Sequence, residues 1–287
     1  VLEALGVDAS IAYGDVAARG NFCTIDGKGL LTDRRAGRIA SQESRPLCDL
    51  LNTIQIPGVE LSVLPVQDYR FVLLMRGDGL SDRLSETDPQ RNNAAPLPVL
   101  PLVEEANKTA RAVNKFVSQA RDMLGNRDVA NMLLLRGFSQ LPSFPSLGNA
   151  YMLNPAAIAA YPMYRGLAHV VGMKVISTGT TFDEELDTLA QHYGQHDFFY
   201  LHYKPADAAG EDGDFEAKVT ALEELDLRIP RLMALDPDVL IVAGDHATPA
   251  IMAAHSWHPV PLLLHSKLTK GDGVKSFSER ACTVGSL

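Results

Sequence analysis

The sequence has few cysteines, no long apolar run and fewer basic than acidic residues, and each shortage excludes a class of protein. Its three cysteines, Cys23, Cys48 and Cys282, are far apart and odd in number, which argues against a disulfide framework and favours reduced thiols in a cytoplasmic protein. No apolar run approaches the roughly 20 residues that span a bilayer, and the first residues lack the pattern of a signal peptide. We therefore expect no membrane partner.

The charge balance of the 287 residues is acidic. Asp and Glu number 35 against 26 Lys and Arg, which gives a formal net charge of -9. A chain of this sign has no electrostatic support for non-specific binding to nucleic acid. Any anionic substrate must therefore be bound by a local cluster of arginine or lysine. With 46% hydrophobic residues, the chain can bury one large core, or a core and a smaller inserted lobe.

From about residue 131 onward, apolar runs of strand length alternate with amphipathic stretches of helix length. This pattern predicts an α/β fold whose mostly parallel sheet is flanked by helices. The predicted strands cover residues 131–135, 173–176, 198–202, 239–243 and 260–264. The predicted helices cover residues 155–170, 183–192, 215–234 and 247–254.

The first 126 residues differ from the rest in pattern. Two short apolar runs at 11–18 and 21–25 are expected to add strands to the same sheet. Residues 39–126 instead hold one strong strand at 69–75, a polar loop and a long amphipathic helix at 102–124. We predict a core formed by 1–38 and 127–287, with 39–126 as an inserted α/β lobe that caps the substrate. An elaborated part of a single domain is the alternative.

A group of carboxylates follows the apolar strand predicted at 198–202. Four of them lie within eight residues: Asp207, Glu211, Asp212 and Asp214. Separated by glycines, they could fold a tight loop around a divalent cation. The alternative is a solvated acidic turn in which Asp214 caps the next helix.

Two imidazole-bearing stretches lie near the last predicted strands. Asp245 and His246 directly follow the apolar run at 239–243, and His255 and His258 stand just before the run at 260–264. Side chains beyond the carboxyl ends of parallel strands line the crevice where α/β proteins bind ligands. A lone histidine is more often a surface or core residue, but two beside a Gly-Asp-His turn favour a metal site. Imidazole with carboxylate suits zinc or manganese and also admits magnesium.

Arginines stand at or near the ends of several apolar runs in this acidic chain. They are Arg19, Arg34, Arg35, Arg38, Arg70, Arg76, Arg136 and Arg165. A guanidinium group presents a planar fork to phosphate and to carboxylate, so these positions are candidates for anion binding. For each arginine taken singly, a surface salt bridge is the alternative.

Five segments, at 14–22, 33–39, 204–213, 244–249 and 255–261, resemble in this order the archaeal-type 2,3-bisphosphoglycerate-independent phosphoglycerate mutases. The resemblance spans essentially the whole chain. This family belongs to the alkaline phosphatase superfamily, whose members use two divalent metals and a Ser or Thr nucleophile. The resemblance thus implies an alkaline phosphatase-like core in which Asp207 and His255 bind one metal and Asp245 and His246 bind the other.

One position departs from the superfamily pattern. Asp-x-x-x-His would place a histidine where this chain has Glu211. A carboxylate there can still bind a metal, but it makes a harder site and disfavours zinc. Asp212 or His258 are alternatives for completing that shell. The expected cofactors are two divalent ions, Mn²⁺ or Mg²⁺ with Zn²⁺ or Co²⁺ as alternatives, and 2,3-bisphosphoglycerate is not required.

The implied activity is the glycolytic interconversion of 3-phosphoglycerate and 2-phosphoglycerate through a phosphoserine. The family motifs that supply the nucleophilic serine and one further metal-binding aspartate are expected upstream of Val1, since no serine here has a matching context. Asp33 is the candidate acid–base group, with ion pairing to its arginine neighbours as the alternative. Homo-oligomerisation stays open. The candidates for binding the substrate are Arg19, Arg35, Arg38 and Arg165.

Two other functions compete with the mutase. Another phosphoryl-transfer enzyme of the superfamily, such as a phosphonate hydrolase or a phosphopentomutase, would share the metal residues and differ in the lobe at 39–126. A catalytically silent fragment or paralogue would keep the fold alone. Glu211 and the missing serine favour that last alternative.

Overall fold

The computed structural model describes residues 1–271 and 274–285, and the chain is a mixed α/β fold that divides into two compact units. The first unit comprises Val1–Ala157 and Tyr161–Val175, and the second Ile158–Ala160 and Ile176–Leu287. The boundaries of these two compact units do not show whether residues 39–126 form an inserted lobe. The lobe at 39–126 therefore stays a prediction.

The first unit is built on a five-stranded antiparallel sheet. Its strands are β1 (Val16–Ile25), β2 (Leu31–Asp33), β3 (Glu60–Pro65), β4 (Arg70–Arg76) and β5 (Met132–Ser139). The path β2–β1–β4–β3 is completed by β5, which also pairs with β1. In this register Arg19 of β1 lies opposite Val72 of β4 and Arg136 of β5. Strand β1 is therefore the centre of the sheet.

One long helix covers a face of this sheet. The helices of the first unit are α1 (Leu2–Gly6), α2 (Ser41–Leu51), α3 (Asn107–Leu124), α4 (Leu147–Tyr151) and α5 (Pro162–Val170). Apolar residues of α3 recur at spacings of three and four, which places Val113 and Phe116 on one side. They join Phe22, Phe71 and Leu133 in the main buried cluster. Burial of each such side chain stabilises the fold by roughly 1.5–3 kcal/mol.

Three strands alternate with helices along the middle of the chain and form a separate sheet. They are β6 (Pro155–Ile158), β7 (Lys174–Ile176) and β8 (Phe198–Leu201), joined by α5 and by α6 (Phe182–His192). Helical crossovers are the connections that parallel strands require. The start of α6 is fixed by a capping box in which Thr181 and Glu184 exchange hydrogen bonds.

The remaining elements of the second unit follow β8. They are α7 (Pro205–Glu211), α8 (Phe215–Asp226), α9 (Ile229–Met233), β9 (Val239–Ala243), β10 (Leu262–Ser266) and α10 (Glu279–Cys282). Strands β9 and β10 pair with each other in antiparallel register, with Leu262 opposite Ala243.

Two predicted helices begin or end at the wrong place, in both cases because of a proline. Residues 155–170 were expected to be helical, but the first four form β6 and the helix starts at Pro162. The predicted helix at 215–234 is divided into α8 and α9, with Pro230 in the first turn of α9. Proline lacks an N–H and is favoured in the first turn of a helix, where no hydrogen bond is lost, so it favours these boundaries.

The expected parallel neighbours are wrong for several strands. The runs at 11–18, 21–25 and 131–135 were expected in the parallel sheet, yet residues 16–25 form β1 and residues 132–139 form β5 of the antiparallel sheet. The runs at 239–243 and 260–264 also pair antiparallel, as β9 and β10. An apolar run of strand length does not specify the direction of its neighbour, because burial on both faces is possible in either arrangement.

The three cysteines and the helices bear on the expected compartment. Cys23 and Cys48 are buried and Cys282 is partly exposed, all as free thiols. Burial raises the pKa of Cys48 to about 12. Among the helices of the described residues, none has both the length and the apolar composition needed to cross a bilayer. The cytoplasmic location stays a prediction.

Candidate metal centre

Two segments of the second unit carry the side chains that were expected to bind metal. Asp207 lies in the first turn of α7 and Glu211 at its last residue. Asp245 and His246 follow β9 after Gly244, and His255 stands at the end of the loop after them. We call these five residues, Asp207, Glu211, Asp245, His246 and His255, the metal-ligand cluster.

The loop at 247–254 is not the predicted helix, which is a correction to the sequence analysis. It consists of turns, and Ala247 pairs with Ser256 as an isolated antiparallel bridge. The amide of Ser256 donates to the carbonyl of Ala247 at 2.9 Å. A proline disfavours the helical conformation of the residue before it, so Thr248, which precedes Pro249, does not fit the predicted helix.

The bridge brings His246 and His255 side by side. Their rings stack with centroids 3.8 Å apart. Asp207 Oδ1 lies 3.8 Å from His246 Nδ1 and 3.7 Å from His255 Nε2. One donor atom from each of these three residues lies within 4.8 Å of the other two. Side chains up to 48 residues apart in sequence, Asp207 and His255, therefore lie close together in the structure.

The other two members of the metal-ligand cluster, Glu211 and Asp245, lie close to different histidines. Glu211 Oε1 lies 3.3 Å from His255 Nε2, and Asp245 Oδ2 lies 3.8 Å from His246 Nε2. Two donors that each lie about 2.1 Å from a cation are roughly 3–4 Å apart, so these separations fit shared coordination. Glu211 and Asp207 group with His255 and Asp245 groups with His246, while Asp207 also lies within reach of His246 Nδ1.

Hydrogen bonds within the centre favour the ionised form of Asp207. Burial by itself raises the pKa of this carboxyl group. Hydrogen bonds donated by Lys204 and Thr248, together with the positive charge of Lys204, outweigh burial and lower the pKa. Thr248 Oγ1 lies 2.6 Å from Asp207 Oδ1 and 3.0 Å from His246 Nδ1. The sequence analysis missed Lys204 and Thr248, although both stand inside the segments that carry the resemblance.

Three titratable groups on β8, just after it and on α6 have shifted pKa values. Burial lowers the pKa of His202 to about 4 and raises that of Tyr200 to about 12. Burial also raises the pKa of Glu185 to about 7, although backbone N–H groups of Ala160 and His202 favour the charged form. None of these groups was singled out from the sequence.

Two of the expected substrate arginines form ion pairs in the first unit. Arg19 Nη2 lies 2.5 Å from Glu3 Oε1, and Arg165 Nη2 lies 2.9 Å from Asp8 Oδ2. Arg19 also lines a cavity of about 390 Å³ together with Arg136, which the sequence analysis named as an anion-binding candidate but not among the four substrate residues. The substrate role of Arg19 and Arg165 stays a prediction.

The remaining candidates, Asp33, Arg35 and Arg38, shape a turn that follows β2. The carboxylate of Asp33 accepts hydrogen bonds from the backbone N–H groups of Arg35 at 2.7 Å and Gly37 at 2.5 Å. Arg38 has a φ of 55°, in the left-handed region. The acid–base role of Asp33 and the substrate role of the two arginines stay predictions.

Family comparisons point in one direction. A model described as 2,3-bisphosphoglycerate-independent phosphoglycerate mutase matches residues 1–130, and a Metalloenzyme superfamily model matches residues 70–287. A probable 2,3-bisphosphoglycerate-independent phosphoglycerate mutase of Thermus thermophilus is 45% identical over 291 residues. One of Thermosipho melanesiensis, described in the same words, is 43% identical over 289 residues. Each alignment covers 100% of this chain and 72% of the relative.

Solved structures give the same result for the fold. The cofactor-independent phosphoglycerate mutase from Thermoplasma acidophilum matches with a TM-score of 0.64 and 26% identity, over 100% of this chain and 76% of that chain. A Pyrococcus horikoshii protein matches with a TM-score of 0.79 and 24% identity, over 99% and 72% of the two chains. The expected alkaline phosphatase-like α/β fold is confirmed by this likeness.

Proposed function

The chain belongs to the 2,3-bisphosphoglycerate-independent phosphoglycerate mutase family, and on that premise we propose that it interconverts 3-phosphoglycerate and 2-phosphoglycerate using divalent metal held by the metal-ligand cluster. It is accordingly an isomerase. The observation that carries the proposal is the convergence of Asp207, His246 and His255, whose donor atoms lie within 4.8 Å of one another.

The residues present fit two divalent ions. Three carboxylates and two imidazoles form a donor set of mixed oxygen and nitrogen, with no thiolate. Such a set is harder than the Cys- or His-rich sites that prefer zinc, which favours Mn²⁺ or Mg²⁺. Bound there, the ions would activate a hydroxyl nucleophile and neutralise the charge of the transferred phosphoryl group.

Side chains outside the metal-ligand cluster have distinct tasks in this proposal. Lys204 forms an ion pair with Asp207, which stabilises the ionised carboxylate and holds it in place. Arg19 and Arg136, opposite each other on β1 and β5, supply guanidinium groups that can hold the carboxylate or phosphate of a glycerate phosphate. Asp33 is proposed as the acid–base group, because its two backbone hydrogen bonds leave a carboxylate with further lone pairs.

The test is a coupled assay for 2-phosphoglycerate on the full-length gene product with 3-phosphoglycerate and added Mn²⁺. Asp245→Asn removes a proposed ligand oxygen with little change in shape. We expect it to lower turnover by at least about a hundredfold, since even partners of metal ligands are worth 10- to 100-fold. The control is Asp238→Asn, an exposed carboxylate before β9 that lies 3.5 Å from Lys267.

Thermal unfolding of both variants shows whether the fold is intact. Near-normal turnover of Asp245→Asn at saturating Mn²⁺ would exclude Asp245 as a metal ligand. A wild-type protein that releases phosphate from 3-phosphoglycerate without forming 2-phosphoglycerate would replace the mutase with a hydrolase of the same superfamily.

A further inference from the structure

Thr248 occupies an unusual place in the metal centre, because its hydroxyl contacts two members of the metal-ligand cluster at once. The side chain is buried, with 4% of its surface exposed. Its Oγ1 atom lies 2.6 Å from Asp207 Oδ1 and 3.0 Å from His246 Nδ1. We propose that Thr248 is a positioning residue that fixes the tautomer of His246 and the orientation of Asp207, an inference that rests on the proposed function of these two residues as metal ligands.

The direction of the two hydrogen bonds follows from the groups involved. A hydroxyl has one proton to donate, and an ionised carboxylate can only accept. The proton of Thr248 therefore points to Asp207, and the distance of 2.6 Å is typical of an O–H···O⁻ bond. The hydroxyl oxygen is then left to accept a hydrogen bond, so His246 must donate from Nδ1.

This arrangement selects one of the two neutral forms of the His246 ring. With the proton on Nδ1, the lone pair lies on Nε2, which is the atom 3.8 Å from Asp245 Oδ2. A metal-ligating histidine is generally held in this way, by a hydrogen bond from the nitrogen that does not bind the ion. Thr248 therefore orients the ring so that the free nitrogen faces the proposed partner ligand.

The backbone of Thr248 contacts residues of two helices, α7 and α8. Lys218 of α8 donates from Nζ to the carbonyl oxygen of Thr248 at 2.5 Å. Gly210 of α7 faces the same carbonyl so closely that a Cβ atom there would lie 2.3 Å from it and 3.1 Å from the Thr248 methyl carbon. Close packing against α7 leaves the hydroxyl little freedom to turn away from Asp207.

A consequence is that Thr248 links the two groupings within the cluster. Asp207 lies 3.7 Å from His255, whereas His246 lies 3.8 Å from Asp245. A single hydroxyl thus connects donors that are assigned to different ions. Its loss should weaken metal binding without removing any ligand.

The experiment compares three variants of the full-length protein. Thr248→Val keeps the shape and removes the hydroxyl, whereas Thr248→Ser keeps the hydroxyl and removes the methyl group. The matched control is Thr220→Val, an exposed threonine of α8 whose hydroxyl donates only to the carbonyl of Glu216 at 3.0 Å among the bonds described for it. Mn²⁺ affinity is measured by titration calorimetry. The His246 tautomer is measured from ring ¹⁵N shifts in metal-free protein at pH 8, with the signals assigned by their loss in His246→Asn.

We expect the wild type and Thr248→Ser to carry the proton on Nδ1 and to bind Mn²⁺ with similar affinity. Thr248→Val should bind Mn²⁺ roughly 10- to 100-fold more weakly. It should also show a mixed tautomer, and Thr220→Val should match the wild type in both measurements.

Each result bears on a different claim. Equal Mn²⁺ affinity and an unchanged tautomer in Thr248→Val would overturn the positioning role and leave the metal centre standing. A proton on Nε2 in the wild type or in Thr248→Ser would overturn it even if the valine variant fails to fold. A wild type that binds no Mn²⁺ would refute the metal centre and, with it, the proposed function.

Discussion

Glu185 provides a test of how burial affects a carboxyl group in the second unit. It lies on α6 with 2% of its surface exposed, and its Oε1 accepts a hydrogen bond from the amide of Ala160 at 2.8 Å. Its Oε2 is buried without a hydrogen-bond partner among the described residues. Burial raises the pKa of this carboxyl from 4.5 to about 7. The charged form is therefore the unfavourable one in the folded state.

The sign and size of the effect on stability follow from linkage. Between pH 4.5 and about 7 the folded state binds a proton that the unfolded state has released, so stability falls as pH rises. The contribution is complete below about pH 4.5 and is lost once the pH exceeds about 7. At about 1.4 kcal/mol per pKa unit, the difference is about 3 kcal/mol. Glu185→Gln stays neutral throughout and removes this dependence.

The assay is urea unfolding of the wild type and Glu185→Gln at several pH values from 4.5 to 8. A buried amide has its own cost, but that cost is the same at every pH and cancels in the comparison. Relative to the wild type, the free energy of unfolding of the variant should rise by about 3 kcal/mol as the pH increases from 4.5 to 8. Glu216→Gln, at an exposed position of α8, should give a curve parallel to the wild type. Parallel curves for Glu185→Gln would refute the reasoning.

Two further predictions concern close packing and substrate binding. Gly210→Ala should destabilise the protein by about 1–3 kcal/mol and weaken Mn²⁺ binding, because its Cβ atom would lie 2.3 Å from the carbonyl oxygen of Thr248. Stability is measured by urea unfolding. The control is Gly194→Ala, whose Cβ atom would meet no atom within 4 Å. Arg19→Lys should lower kcat/KM for 3-phosphoglycerate by roughly ten- to a hundredfold, because Lys has no planar fork. Exposed Arg127→Lys should not, and equal kinetics for both would remove Arg19 from the substrate site.

The sequence predicted helices and strands well where local signals agree. The helix at 183–192 is observed as Phe182–His192, because Thr181 and Glu184 form a capping box and the apolar period is that of a helix. The strand at 239–243 is observed without any change of boundary. The helix predicted at residues 155–158 was wrong. Ala and Ile in a short buried run fit a strand as well as a helix, and tertiary burial decided between the two.

The candidate ligands were accessible to sequence reasoning, but their orienting partners were not. Asp245 and His246 stand just beyond the end of an apolar strand, and that position alone marks them as candidates. Thr248 is a small polar residue before a proline, which is an ordinary composition for a turn. Its contact with Asp207, 41 residues earlier, exists only because α7 packs against the loop. Such contacts depend on packing between elements, which no local pattern contains.

The wrongly predicted helix at 247–254 has a direct bearing on the site. A helix rises 1.5 Å per residue, so nine helical steps would separate His246 from His255 by about 13 Å along its axis. Donors that far apart cannot share a small centre. The turns and the bridge between Ala247 and Ser256 instead reverse the chain and bring the two rings to 3.8 Å. The absence of a helix in this loop is therefore what allows the two histidines to face Asp207 together.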